Sequence, residues 1–230
     1  MRALLLITTV LILSSCSSKN TTWQSNRYSD TTIYDWKIKT NTTVIAADNS
    51  LHSKCITLLT AQLNKAQQVF PPTALPYLRE MPIWVEMETP NNERIQYHRN
   101  RTWLSENGYD PAKANSIEVT ATEFVQYSQI DSNQIIRILI LGYYTRMVGN
   151  NNPQLLLAYN NARSNDNYNS VIMKDGKSKN IFSFGTPYDY YLALSAAYFN
   201  VSRSKPKTRE ELKAIDPIGY DKIEVLWRVK

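Results

Sequence analysis

The sequence predicts a single α+β domain with a small mixed sheet, a buried helix at its centre and a helical C-terminal part. Short segments with alternating apolar residues, typical of strands, lie mainly in its first half. Longer segments with apolar residues at intervals of three and four, typical of helices, dominate the second half. The chain has 230 residues, 43% of them apolar, enough for one sizeable core. We expect this domain to span residues 34–230, without internal repeats.

The N-terminus is typical of a secretory signal. A positive Arg2 precedes the apolar run Ala3–Leu13, which is too short for a bilayer-spanning helix of about 20 residues. The following Leu13-Ser14-Ser15-Cys16 resembles the bacterial lipobox. That resemblance implies removal of residues 1–15 and acylation of Cys16 as the first residue of a secreted lipoprotein. An ordinary secretory signal is the alternative.

Residues 16–33 are rich in Ser, Thr and Asn and have no apolar period, which predicts a flexible tether. Ser17 follows the cysteine in place of the Asp that commonly retains lipoproteins in the inner membrane. We therefore expect a cell-envelope protein that is lipid-anchored to the outer membrane and faces the periplasm. Acylation of Cys16 leaves Cys55 without an intrachain partner, so Cys55 is predicted to be a buried packing residue.

The first half of the domain is predicted to contain most of the strands. Segments 35–40 and 42–46 read as a strand pair, and the stripe of apolar residues over 49–69 predicts an amphipathic helix that Pro71-Pro72 ends. The remaining predictions are a short helix at 75–80, strands at 82–88, 95–98 and 117–120, a helix ending near Gly108, and an N-cap at Asp110-Pro111.

The second half is predicted to be largely helical. Asn133–Val148 is apolar on all sides in its middle except at Arg137, which predicts a buried helix, here called the spine helix. Further helices are predicted from Asn152-Pro153 to 163, from Thr186-Pro187 to 200 and from Asp216-Pro217 to 229, with a capping box at 208–211 and a hairpin over 171–184.

Composition excludes several site classes. The six glycines include no G-x-G, which argues against Rossmann and P-loop phosphate sites. Two cysteines and two histidines at these spacings fit no zinc finger or ribbon. The formal charge of +6 is scattered along the chain, which predicts a solvated basic surface and no nucleic-acid partner. Such a surface favours acidic partners such as anionic lipid headgroups or cell-wall polymers.

Several stretches stand out in their order along the chain. They are LPYLREMPIWVE (75–86), YH (97–98) with WL (103–104), GYDPAKA (108–114), SIEV (116–119), GY (142–143) before NP (152–153), and TPYDYY (186–191). Together they resemble a bacterial family of secreted zincin-like metallopeptidases that is distantly similar to the catalytic domain of anthrax lethal factor. The resemblance covers roughly residues 35–200 and implies a zincin-like fold.

The resemblance also implies that the metal site is lost. The family carries His-Glu-x-x-His on the spine helix, because two imidazoles one turn apart grip zinc while the Glu activates water. These positions fall on Arg137, Ile138 and Leu141. The family's oxyanion-stabilising Tyr falls on Phe182, and its third ligand, a Glu, falls on Asp189. The resemblance therefore implies a pseudoenzyme with no metal, no cofactor and no catalytic residues.

Two hypotheses concern what remains at this position. A buried Arg137 needs a partner, so we predict a salt bridge to Asp189 in place of the metal; the alternative is that Arg137 faces solvent. Tyr97, His98, Tyr144 and Tyr190 are candidate residues lining a groove for a peptide or glycan, the alternative for the tyrosines being core packing. His98 is either a retained substrate-side group or a structural histidine.

Three functions remain open from the sequence. The first is a degenerate cleft that binds a peptide, a protein partner or an envelope polymer without cutting it. The second is a structural or assembly lipoprotein with no ligand in the cleft. The third is an enzyme with relocated chemistry, for which an acid beside His98 inside a pocket would be the signature.

Overall fold

A five-stranded mixed sheet organises the domain in the computed structural model, which describes residues 27–91, 93–165, 168, 170–172, 178–180 and 184–228. The strand order is β1-β2-β3-β5-β4; β2, β3 and β5 are parallel, and β1 and β4 are antiparallel edge strands. Its strands are β1 (Tyr28–Ile33), β2 (Trp36–Asn41), β3 (Ile83–Glu86), β4 (Ile95–His98) and β5 (Ser116–Thr120). The mixed sheet with many helices confirms the α+β fold.

The helices surround the sheet and form the C-terminal part of the domain. Those of the first half are α1 (Thr42–Ala47), α2 (Asn49–Val69), α3 (Leu75–Arg79), α4 (Arg101–Glu106), α5 (Ala121–Ser128) and α6 (Gln134–Tyr143). The later ones are α7 (Pro153–Ser164), α8 (Pro187–Tyr198), α9 (Arg209–Ile215) and α10 (Pro217–Leu226). A short antiparallel hairpin, β6 (Ser170–Ile172) and β7 (Ser178–Asn180), lies between α7 and α8, as predicted; its turn at 174–177 lies outside the described residues.

The spine helix is α6, and its burial confirms the prediction. Ile135, Ile136, Leu139 and Ile140 are buried and share one core with Ile83, Val85, Ile117 and Val119 of the sheet. After Tyr143 the helix continues as one π-helical turn, Tyr144–Val148. It ends at Gly149, whose φ of 72° favours glycine.

Two predictions for the N-terminal part of the domain are wrong. The predicted tether, residues 16–33, ends earlier, because residues 28–33 form the edge strand β1; its side chains are mostly exposed, so its sequence looks like that of a linker. Segment 42–46, predicted as a strand from its β-branched residues, is helix α1. The Asn41 side chain caps this helix by accepting a hydrogen bond from the Thr43 N–H at 3.0 Å.

The thiol of Cys55 is fully buried on α2, which confirms its prediction as a packing residue. Burial raises the pKa of this thiol to about 12, so it is inert at neutral pH. Cys16 and the signal segment lie outside the described residues. Within the part of the chain that the structure describes, no helix combines the length and apolar character needed to cross a membrane.

Candidate functional site

An open groove of about 780 Å³ lies where β4, the end of α6 and the start of α8 meet. Side chains from all three elements line it, with further residues from the loop before α7 and from α7 itself. The residues that define its character are Tyr97, Arg99, Leu141, Tyr144, Leu156 and Tyr188. We call it the tyrosine groove, after Tyr97, Tyr144 and Tyr188.

The α6 end of the groove is held in place by close contacts. Gly142 lies close to Tyr97 on β4 and to Met81, just before β3. A Cβ at Gly142 would lie 3.0 Å from the Met81 Cε and 3.2 Å from a ring carbon of Tyr97. The Tyr144 hydroxyl donates to the Asn150 Oδ1 at 2.5 Å, and its ring meets Tyr188 edge-on with centroids 5.2 Å apart. The groove is therefore a preformed surface.

The groove has an apolar and neutral-polar lining with one charge. Burial raises the pKa values of Tyr97, Tyr144 and Tyr188, so their hydroxyls stay protonated at neutral pH. Arg99 supplies the charge, and among the described residues that line the groove none carries a carboxylate, imidazole or thiol. This lining can stack on a flat or extended ligand and hydrogen-bond to it, but it offers no general base or nucleophile.

The predicted salt bridge between Arg137 and Asp189 is wrong. Arg137 pairs with Asp131, in the loop before α6, and also donates to the Val201 carbonyl at 3.2 Å. Asp189 is exposed and accepts a hydrogen bond from the Thr186 hydroxyl at 2.6 Å. The physical reason is that the chain just after α8 meets Arg137, whereas Asp189 lies in the first turn of α8, about 13 Å away along its axis.

The other positions that the resemblance assigns to the metal site are also separated. Leu141 lines the groove beside Thr186 and Tyr188, whereas Ile138 packs half-buried against the core and Phe182 lies outside the described residues. Among the residues that the structure does describe, no three or more His, Cys, Asp or Glu side chains are grouped to hold a metal ion. The residues that the structure brings together at the groove are thus Leu141 and the start of α8.

The candidate groove residues divide into two pairs. Tyr97 and Tyr144 line the groove as predicted, but Tyr190 is a core residue. Its side chain is fully buried and its hydroxyl donates to the Asp216 Oδ2 at 2.6 Å. Tyr188 takes its place in the groove, because residues two apart on a helix point in nearly opposite directions, about 200° around the axis.

His98 does not line the groove either. It is 2% exposed, and its Nε2 lies 2.8 Å from the Glu118 Oε2 on the opposite face of the sheet. There Glu118 also pairs with Lys113, whose ammonium lies 2.6 Å from the Glu86 Oε1. His98, Glu118, Lys113 and Glu86 form the buried charge network, to which the Tyr28 hydroxyl donates at 2.6 Å.

The electrostatics of this network favour the charged forms of Glu118 and Lys113. Burial opposes the charge of Glu118, but the hydrogen bond from His98 and the Lys113 ammonium outweigh it and lower the pKa of the carboxyl. Burial likewise opposes the charge of Lys113, and Glu118 and Glu86 outweigh it and raise the pKa of the amine. Each charged group has a partner, as a stable buried site requires.

An acid therefore does lie within hydrogen-bond reach of His98. Glu118 and Lys113 border a small pocket of about 200 Å³, but the imidazole is not part of its lining. The imidazole is also 2% exposed, with its Nε2 hydrogen-bonded to Glu118, so it is buried away from solvent. This arrangement favours the structural interpretation of His98 over relocated enzyme chemistry.

Sequence reasoning missed the buried charge network and Arg99. The signal for the network was present as a period of two: Glu86, Gln96, His98 and Glu118 all occupy the same face of adjacent strands. Polar residues along one face of a strand ordinarily indicate that this face is exposed to solvent, so the pattern does not reveal a buried network.

Comparisons with protein-family models, with curated proteins and with solved structures found no match.

Proposed function

We propose that this protein is an envelope lipoprotein, acylated at Cys16, whose zincin-like domain has lost peptidase chemistry and binds an extended peptide or envelope polymer in the tyrosine groove. The observation that carries the proposal is the groove itself. It is open, has a volume of about 780 Å³, and its lining within the described part of the chain includes three tyrosines and no carboxylate, imidazole or thiol. A domain with a purely structural role has no need of such a cavity, so the open groove favours binding over the structural alternative.

The groove's shape and chemistry support an extended ligand. The Tyr188 ring meets the more deeply buried Tyr144 ring edge-on, and both hydroxyls stay protonated. Leu141 and Leu156 add apolar walls. Aromatic rings of this kind bury much area at small conformational cost and bind both peptide side chains and sugar faces. The groove gives a ligand contacts along its length, and its lining offers no group that activates water for hydrolysis.

Equilibrium dialysis with two probes, a pool of capped hexapeptides and disaccharide-tetrapeptide fragments of peptidoglycan, tests the proposal. Wild-type protein should retain members of one probe, and Tyr188→Ala should lose at least about tenfold in affinity, the effect of removing a central aromatic anchor. The matched control is Tyr34→Ala, at an exposed turn between β1 and β2; it should bind like the wild type. Equal binding by all three proteins, or no retention of either probe, would overturn the groove assignment.

Two further measurements test the proposed loss of peptidase activity and the proposed acylation of Cys16. The retained peptide should be recovered at full length, and purified protein should contain no stoichiometric zinc; cleavage products or one zinc per chain would contradict the pseudoenzyme assignment. Intact mass of the protein from membranes should show a chain beginning at Cys16 with attached acyl groups. A chain that lacks residues 1–15 and carries no lipid would support an ordinary secretory signal instead.

A further inference from the structure

A cluster of arginines lies at the end of the spine helix away from the groove. The Asp131 carboxylate accepts hydrogen bonds from both Arg137 and Arg203. The Arg94 guanidinium lies 3.5 Å from the centre of the Tyr127 ring, and that of Arg203 lies 5.4 Å from it. We call Arg94, Arg137 and Arg203 the arginine cluster.

The cluster carries more positive charge than its one carboxylate neutralises. Burial lowers the pKa of Arg137 to about 10, and the neighbouring guanidiniums of Arg203 and Arg94 contribute to the shift, so Arg137 stays charged at neutral pH. Against these three cations stands Asp131, whose side chain is 7% exposed. Arg137, Arg203 and Asp131 border a pocket of about 360 Å³. The Arg203 and Arg137 side chains are 52% and 24% exposed, so an anionic group can approach the sides of the two guanidiniums that face away from Asp131.

An apolar side chain stands at the rim of this pocket. Ile130, in the loop between α5 and α6, lines the pocket and is 80% exposed. A single exposed isoleucine is ordinary by itself. Beside a pocket with excess positive charge it gives the pairing typical of membrane-surface contacts, in which cations meet headgroup phosphates and an apolar residue enters the interface.

The described chain begins at the same end of the sheet. Tyr28 on β1 lies opposite Asn41 on β2, and the Asn41 side-chain amide donates a hydrogen bond to Glu86 at the end of β3. Glu86 lies opposite Thr120 on β5, and the Thr120 N–H donates to the carbonyl of Arg94, just before β4, at 3.1 Å. These residues form one row across the sheet, so the start of β1 and Arg94 are at one end. Arg27 lies eleven residue steps after Cys16, and a chain of that length spans at most about 40 Å.

We propose that the arginine cluster and Ile130 form a docking surface for an anionic phospholipid membrane. A headgroup phosphate lies against the exposed sides of Arg137 and Arg203, whose other sides hold Asp131, and Ile130 enters the interface beside it. The proposal rests on the proposed acyl anchor only for bringing this end of the domain to the bilayer. The excess positive charge and the exposed Ile130 define the surface independently of the tyrosine groove.

The test uses the acylated protein with an environment-sensitive fluorophore on Ile130→Cys, since Cys55 is buried. It is reconstituted on vesicles of phosphatidylcholine alone or with phosphatidylglycerol. The emission at position 130 should shift to the blue on the anionic vesicles only, and added salt should reverse the shift. The same label on Leu157→Cys, an exposed position on α7, should not respond. Equal responses at both positions, or none at position 130, would overturn the proposal.

A charge-matched pair of variants separates docking from general attraction. Arg203→Gln should lower the affinity for anionic vesicles about fivefold, whereas Lys205→Gln removes the same charge from the same exposed loop and should lower it less. Equal losses would indicate diffuse electrostatics and overturn the docking surface. Saturable binding of inorganic phosphate with no fluorophore shift on vesicles would also overturn it, in favour of a small-anion site.

Flotation on neutral vesicles reads the anchor separately. An acylated chain floats with phosphatidylcholine alone, whatever happens at the arginine cluster. A chain that floats only with phosphatidylglycerol would support the docking surface and contradict the anchor. A chain that floats with both lipids but shows no shift at position 130 would support the anchor and contradict the docking surface.

Discussion

Tyr97 and His98, neighbours in the sequence, lie on opposite faces of the edge strand β4. The Tyr97 ring lines the tyrosine groove, whereas the His98 imidazole is bonded to Glu118 beneath the other face. Because successive strand residues point to opposite faces, one short strand supports both the open groove and the buried charge network. Changes at these two positions should therefore have different consequences, for ligand binding in the first case and for stability in the second.

Lys113 is the cation that neutralises two buried carboxylates, so Lys113→Met should be strongly destabilising. It would leave Glu86 and Glu118 buried without their common partner, and we expect the free energy of unfolding to fall by about 3–5 kcal/mol. Urea denaturation measures this. Lys39→Met is the control, because its pair with Asp30 is largely exposed and should change stability by less than about 1 kcal/mol. Similar losses in both variants would contradict the assignment.

The same network predicts a dependence of stability on pH. The pKa of Glu118 is lowered in the folded protein, so its contribution is present above the unfolded value of about 4.3 and is lost as the pH falls through the lower folded value. Lys113, whose pKa is raised, contributes fully below about 10.4 and loses its contribution as the pH rises through the higher folded value.

Glu118→Gln should therefore flatten the acid side of the stability curve and lower stability at neutral pH. Urea midpoints measured from neutral pH down to about pH 3, below the unfolded pKa of glutamate, would show the difference in slope. Glu123→Gln, at an exposed position in the first turn of α5, should keep the wild-type slope. An unchanged slope in Glu118→Gln would show that this carboxyl titrates alike in both states.

Asp131, rather than Asp189, holds the arginine of the spine helix. Asp131→Asn should lower the free energy of unfolding by about 1–2 kcal/mol, a modest loss because Arg137 and Arg203 are partly exposed. Asp189→Asn should cost less than about 0.5 kcal/mol, as is usual for exposed sites. Thermal unfolding of the two variants decides between them, and a larger loss in Asp189→Asn would restore the pairing expected from the sequence.

Gly142 sets how closely the spine helix approaches β4. In a solvated helix, Gly→Ala stabilises by up to about 1 kcal/mol, but here the new Cβ would meet Met81, which is fully buried. Gly142→Ala should therefore lower stability by about 1–3 kcal/mol. Gly185→Ala, where the nearest atom is 3.8 Å away, should be nearly neutral. A stabilised Gly142→Ala would mean that α6 shifts freely from the sheet, measured again by thermal unfolding.

Much of the fold follows from local signals in the sequence. Apolar periodicity identified α2 and the spine helix, and Asp-Pro and Thr-Pro pairs marked the starts of the later helices. Segment 42–46 and strand β1 could not be assigned in this way. In α1, a side-chain cap from Asn41 overrides the strand preference of β-branched residues. In β1, exposure removes the apolar alternation by which a strand is recognised.

The site was harder to predict because it depends on how the helices α6 and α8 are oriented relative to each other, which local sequence patterns do not give. Tyr97 and Tyr144 could be placed at the groove from strand and helix positions. The pairing of Arg137 could not, since two acidic residues, Asp131 and Asp189, were available and only the direction of α8 decides between them. The same holds for Tyr188 and Tyr190. They point in nearly opposite directions from α8, so Tyr188 lines the groove and Tyr190 lies in the core.

The row of residues from Tyr28 to Arg94 marks one end of the sheet, and Arg99 marks the groove near the other. Five residue steps along β4 separate Arg94 from Arg99, about 17 Å in an extended strand. In the proposed membrane orientation, with the bilayer at the first end, the groove would lie away from the headgroups. The proposed membrane contact and the proposed ligand binding would then use separate surfaces of the domain.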